Sequence, residues 1–115
     1  MDFEAAKALC RSFAGVTEDI KWGNDIVFSI GGKMFAVTSV GDSIGMSFKV
    51  EDERFLELTD RPGIIPAPYL ARAKWVYVED AQALGDAEAA ALLRRSYELV
   101  LAKLTKKLQR EISGG

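Results

Sequence analysis

Lys103, Lys106, Lys107 and Arg110 place four cations within eight residues near the C-terminal end of the chain, with no acid among them. Cations at that density can neutralise phosphates, which makes the run a candidate contact for a nucleic-acid backbone. Lys33, Lys49, Arg72 and Lys74 are the other basic residues on or beside expected strands. They join the same surface only if folding gathers them. The run also has a structural explanation, because cations near a helix C-terminus complement the negative end of the macrodipole. The overall charge opposes a dedicated polyanion binder. Fifteen Lys and Arg against 17 Asp and Glu give a formal net charge of -2 and a pI of about 5.2, whereas nucleic-acid domains often exceed about pI 9. Any phosphate affinity must therefore be local.

Trp22, in the turn signal Trp22-Gly23-Asn24-Asp25, and Tyr69, after Pro66-Ala67-Pro68, have weaker packing reasons than Trp75 and Tyr77, which fall in a strand pattern. Aromatic faces so placed can wall a pocket or stack on a base, at about 1–3 kcal/mol per base. Trp22, Pro66 and Tyr69 thus define a candidate ligand cleft. Glu18, Asp19 and Asp25 flank Trp22, and paired carboxylates suit acid–base work when an apolar wall raises one pKa. Acids in a connection are more commonly solvated turn formers or caps, and no Asp-x-Asp-x-Asp-Gly calcium loop is present. Gly31-Gly32-Lys33 lacks the longer glycine-spaced phosphate loop ending in Gly-Lys-Ser/Thr. It reads instead as a type I′ hairpin turn, whose two central positions need positive φ.

The chain has no histidine and one cysteine, which removes Ser-His-Asp triads, Cys-His dyads and imidazole metal ligands. Cys10 has no intramolecular disulfide partner, and this fits a reducing cytoplasm. Beside Leu9 and Phe13 on an apolar helix face, it reads as a packed, unreactive side chain. No nucleophile stands with its base, so the residues nominate no enzyme, no metal site and no cofactor. No stretch approaches the roughly 18 apolar residues of a membrane span, and Asp2 and Glu4 stand where a signal peptide would be basic. No repeat or linker divides the chain, so residues 1–115 are expected as one domain.

The elements that must position these residues follow from periodicity. Asp2 caps a helix over about 3–14, whose Phe3, Ala6, Leu9, Cys10 and Phe13 form one stripe before Gly15. A polar connection, Thr17-Glu18-Asp19, leads to strands at 26–30 and 33–40. Gly41-Asp42-Ser43 is a turn, and 44–50 alternates as a half-buried strand. Asp52 opens a two-turn helix with Phe55, Leu56 and Leu58 inward, ended by Arg61-Pro62-Gly63. Residues 64–70 suit a short edge strand or an extended crossing, and 74–79 is a strand. The last helix is expected from about 87 to 112, with Ala90, Leu93, Tyr97, Val100, Leu104 and Leu108 inward. The fold class is α+β, a two-layer sandwich with an antiparallel sheet, helices on one face and the order α-β-β-β-α-(β)-β-α.

Several strings occur in a characteristic order: Gly15-Val16-Thr17-Glu18 with Trp22-Gly23, Gly31-Gly32-Lys33-Met34-Phe35-Ala36, Ser47-Phe48-Lys49, Pro62 to Leu70, Trp75-Val76, and Ser96 to Val100 with Ala102-Lys103-Leu104. Over nearly the whole chain the sequence resembles the YjbR/MmcQ family of small bacterial proteins. The resemblance implies a CyaY-like (frataxin-like) two-layer fold and a DNA-binding label that rests on a double-wing structural motif. It implies no catalytic residues. Lys33 and Lys49 match the family's Gly-Gly-Lys and Ser-x-Lys positions, and Lys103, Lys106 and Lys107 its basic C-terminal pattern. Thr105 replaces the usual proline, from which the last helix is expected to run on through 105.

The leading expectation is a non-enzymatic domain that binds DNA weakly and without sequence preference through the basic helix face and the hairpin lysines. The alternative is a module that binds a protein, peptide or small ligand in the cleft at Trp22 and Pro66–Tyr69. Frataxin-like iron binding would need an acidic ridge on the first helix, which instead turns basic at Lys7 and Arg11.

Overall fold

The computed structural model describes residues 1–39 and 45–113. The elements in chain order are α1 (Phe3–Ser12), β1 (Val16–Lys21), β2 (Asp25–Ile30), β3 (Lys33–Ser39), β4 (Met46–Lys49), α2 (Asp52–Thr59), β5 (Ile64–Pro66), β6 (Trp75–Val78), α3 (Asp86–Leu101) and α4 (Lys106–Ile112). Short 3-10 turns occupy Ala71–Ala73 and Ala81–Ala83. The strands form a six-stranded antiparallel sheet in the order β1-β2-β3-β4-β6-β5. The expected turn at Gly41-Asp42-Ser43 and the expected strand ends at Val40 and Ile44 lie outside the described residues.

Local chemistry accounts for most boundaries. Asp2 Oδ1 accepts hydrogen bonds from Glu4 N (2.8 Å) and Ala5 N (3.2 Å), which satisfies free donors at the start of α1. Ile30 pairs with Lys33 across Gly31 and Gly32, both at positive φ (59° and 82°), as a two-residue hairpin of this type demands. Gly31 is doubly constrained, since a Cβ there would stand 2.6 Å from Leu104 Cδ1.

All four helices pack on one face of the sheet, giving the α+β two-layer arrangement. Cys10 from α1, Phe13 just past its end, Phe28 and Ile30 from β2, Phe48 from β4, Leu58 from α2, Val76 from β6 and Leu93 and Tyr97 from α3 belong to one buried cluster, against which Leu108 and Ile112 of α4 also pack. At its centre the Phe35 ring lies 5.5 Å from Tyr97, 6.0 Å from Phe13 and 6.4 Å from Phe28. The Tyr97 hydroxyl donates to Ala14 O at 2.6 Å, tying α3 to the end of α1.

Four expectations need correction. The polar connection at Thr17-Glu18-Asp19 is part of strand β1, paired with β2 from Val16↔Ile30 to Lys21↔Asp25. Its side chains are largely exposed, so it lacks the apolar alternation of a half-buried strand, and its charges suit an edge that must not recruit another strand. The helix over 87–112 is two helices. α3 stops at Leu101, and Thr105 caps α4 by accepting a hydrogen bond at Oγ1 from Leu108 N (3.2 Å). Thr105 removes proline's obstruction but supplies an N-cap, and burial of Leu104 against Gly31 takes the chain off the axis of α3. Leu56 is exposed rather than inward. On α3, Ala89 rather than Ala90 is buried.

Cys10 is completely buried, and burial pushes its thiol up to about 12 despite the opposing charge of Arg11. Native protein should therefore resist alkylation near pH 8, because almost none of the reactive thiolate forms. Stoichiometric labelling within minutes without denaturant would refute this. The pH dependence has a definite sign. An exposed thiol ionises near 9.0 and the folded one only at about 12, so the folded state is favoured fully below pH 9 and loses stability as pH rises from 9 toward 12.

Candidate functional site

The face of the sheet opposite the helices carries a cavity of about 480 Å³ lined by Trp22, Asp25, Met34, Val37, Ser47, Pro68, Tyr69 and Leu70. A second, of about 260 Å³, adjoins it. It shares Asp25, Val37, Ser47 and Pro68 and adds Thr38, Ser39, Gly45 and Tyr77. Strand pleating explains the membership. Ile26 and Phe28 on β2 and Met46 and Phe48 on β4 enter the helix-side core, so the alternate positions Asp25 and Ser47 face the other way. Register shifts between Phe28 and Ser29, which pair with Ala36 and Met34. Phe35 is thus an extra residue in β3, and Phe35 and Ala36 both enter the core while Met34 and Val37 line the cavity.

The two exposed walls come from turns. Trp22 lies between β1 and β2 with φ 52°, and Tyr69 lies between β5 and β6 with φ 67°. Both rings are largely or fully exposed. A bulky residue at such φ is strained, by about 1–3 kcal/mol, and such residues concentrate at ligand clamps and other working sites. Tyr77 lies against Gly45, where any side chain would collide with its ring and hydroxyl.

The structure thus brings Trp22 and Tyr69 to one cavity, as the cleft expectation requires, while Pro66 pairs with Val76 on the edge strand and Pro68 takes its place in the lining. Met34, Val37, Ser47, Leu70 and Tyr77 were not legible as residues of this cleft, and Asp25 was legible only as one of the acids flanking Trp22. The available signal was that β2 and β3 carry apolar residues on the second face too, where Val27 pairs with Val37 opposite the core positions Ile26, Phe28 and Ala36, which indicates a sheet covered on both sides.

The basic residues divide differently from expectation. Lys33 opens β3, Lys49 closes β4 and Lys74 precedes β6, so antiparallel register puts all three at one end of the sheet. Lys49 Nζ donates to Ala73 O at 2.5 Å. Its pKa is lowered by burial and by the nearby charges of Lys103 and Lys74, partly offset by Asp52. Lys74, at φ 62°, sets its ammonium 5.2 Å over the Phe55 ring, and Arg72 is exposed on the preceding 3-10 turn. The single stripe of Lys103, Lys106, Lys107 and Arg110 does not form. Lys103 lies in the connection, and Lys106 and Lys107 open α4, where they meet the positive rather than the negative end of the macrodipole. Arg110 alone occupies a last helical turn.

The carboxylates near Trp22 do not converge as an acid–base pair. Glu18 accepts from Arg11 Nε (2.7 Å) and Nη2 (3.0 Å), and this bridge lowers its pKa, the reverse of what a general acid needs. Among the described residues, no group of three or more Cys, Asp or Glu side chains is placed to hold a metal, and no helix is long and apolar enough to cross a membrane.

The fold has solved counterparts. A crystal structure of the Deinococcus radiodurans protein DR2400, with a DUF419 domain, superposes with a TM-score of 0.83 at 27% identity, covering 96% of this chain and 87% of that one. A Pseudomonas syringae protein superposes with a TM-score of 0.71 at 22% identity, covering 87% of this chain and 99% of that one, a likeness of fold. No curated protein matches the chain. The YjbR family model matches residues 11–99, a span from the end of α1 through most of α3 that includes the whole sheet and every residue lining the two cavities. By that match the chain belongs to the YjbR family.

Proposed function

We propose that this protein is a non-enzymatic, cytoplasmic binding module whose ligand occupies the cavity between Trp22 and Tyr69. One observation carries the reading: two bulky rings, at the tips of separate turns and both at strained positive φ, wall the same cavity. Packing does not explain them, since both are exposed, so the strain has its rationale in what the rings face. The apolar floor of Met34, Val37 and Leu70, with a few polar groups at Asp25 and Ser47, has the composition of a small-molecule site.

The test separates stability from binding. Trp22→Gly and Tyr69→Gly remove exposed rings from positions where glycine is unstrained, so stability should stay constant or rise by up to about 1 kcal/mol. Fragment binding, followed by amide shifts of Val37 and Ser47, should be lost in the double variant. A marked loss of stability, or unchanged fragment shifts, would defeat the proposal.

A second reading has its own observation. Lys49, Lys74 and Lys103 lie close enough for the latter two to lower the pKa of the first, a gathering that suits a phosphate. It supports weak, sequence-tolerant DNA contact at this end of the sheet rather than along a C-terminal helix. Three released counterions give a log-log salt slope of about -2.7 on duplex DNA. Lys103→Glu should abolish retention, whereas Lys106→Glu with Lys107→Glu should change it little. No retention at low salt, or the opposite order of effects, would sink this reading.

A further inference from the structure

Among the described residues that line the two adjoining cavities, a single charged side chain is present. Asp25 is half-buried and lines both. Among the described residues its carboxylate makes no hydrogen bond or ion pair, and none joins it to Lys21, its register partner on β1. Among the described residues no lysine or arginine lines either cavity, while Trp22, Tyr69 and Tyr77 contribute three aromatic rings. Ring faces are electronegative and attract cations, most strongly when water is displaced. An unpaired carboxylate beside them repels anions and gains from a charged donor. Met34, Val37 and Leu70 offer hydrocarbon surface next to that charge.

We propose that the cavity takes a small amphipathic organic amine, its ammonium group held by Asp25 and the Trp22 and Tyr69 rings and its apolar body against Met34, Val37 and Leu70. This rests on the cavity reading above and adds the ligand's charge. Charge complementarity selects it: a neutral or acidic molecule of equal shape leaves the carboxylate unpaired or opposed.

Three probes of similar shape test it on the full chain at neutral pH: 2-phenylethylammonium, 2-phenylethanol and 3-phenylpropionate. Binding is read from the Trp22 indole N–H and the amides of Asp25, Val37 and Ser47. The ammonium should bind about tenfold more tightly than the alcohol, and the carboxylate should give no saturable shift. Asp25→Asn should cut the ammonium's preference over the alcohol by about threefold or more at an unchanged melting temperature, leaving the share that the rings supply. Equal or tighter binding of the alcohol or the carboxylate overturns the proposal, as does a preference that Asp25→Asn leaves undiminished. If these probes fail while other fragments still bind the cavity, only the assignment of a cation falls. If nothing binds there, the cavity reading falls with it.

Discussion

Phe35→Ala is expected to cost about 3–5 kcal/mol, the usual loss for a fully buried phenylalanine, out of the roughly 5–15 kcal/mol that holds a domain folded. Phe35 has no exposed surface and its ring meets those of Phe13, Phe28 and Tyr97. Removal therefore opens a void among side chains from the end of α1, β2 and α3 at once. As the extra residue of a bulged strand, it also has no register partner whose side chain can close the gap. The melting temperature should fall on the order of 10–25 °C. A fall of only a few degrees would mean that the cluster collapses to fill the space. Phe35→Leu, which keeps most of the volume, should recover more than half of the loss.

The next largest effect is expected at Ser96, completely buried on α3. Its hydroxyl donates to Phe35 O at 2.7 Å and accepts from Lys49 N at 3.0 Å, just beyond Ala36↔Phe48 at the end of the β3–β4 ladder. A helix side chain thus supplies the link between two strands where the bulge has parted them. Ser96→Ala leaves a buried carbonyl and a partly buried amide without partners, each at about 1–3 kcal/mol with the amide at the lower end, for a total of about 2–4 kcal/mol. In urea the midpoint should drop with the slope unchanged. A loss below about 0.5 kcal/mol would show that water replaces the hydroxyl, and Ser96→Val should be no better than alanine.

Neither effect is visible in the order of residues. Phe35 reads as one more apolar strand position, and Ser96 as a polar interruption of a helical stripe. Their weight comes from a bulge, a long-range property of two strands in register. The same distinction runs through the site. Trp22 and Tyr69 were legible because aromatic residues in Gly/Asn and Pro-rich turns lack a packing reason, but their meeting depends on a turn at one edge and a connection at the other folding over the same face. Asp25 was legible as an acid near Trp22, and only the pleat shows that it faces the cavity.

What the residues determined by themselves were the features set by neighbours a few positions apart: the stripe of α1, the Gly31-Gly32 turn, the alternation of β4 and the burial of Cys10. Such features depend on backbone preference and on the 3.6 and 2 periodicities, both local. Tertiary structure decided the rest. It made a strand of the charged segment Val16–Lys21, because pairing with β2 outweighs a weak intrinsic preference. It broke the last helix before Thr105, where Leu104 is buried against Gly31 and Thr105 caps the next helix. By that break it took Lys106, Lys107 and Arg110 out of line with Lys103, and by sheet register it set Lys49 and Lys74 near Lys103 instead. Charge runs along a chain become surfaces only through contacts between distant segments, and those contacts follow from how apolar faces are buried rather than from the charges themselves.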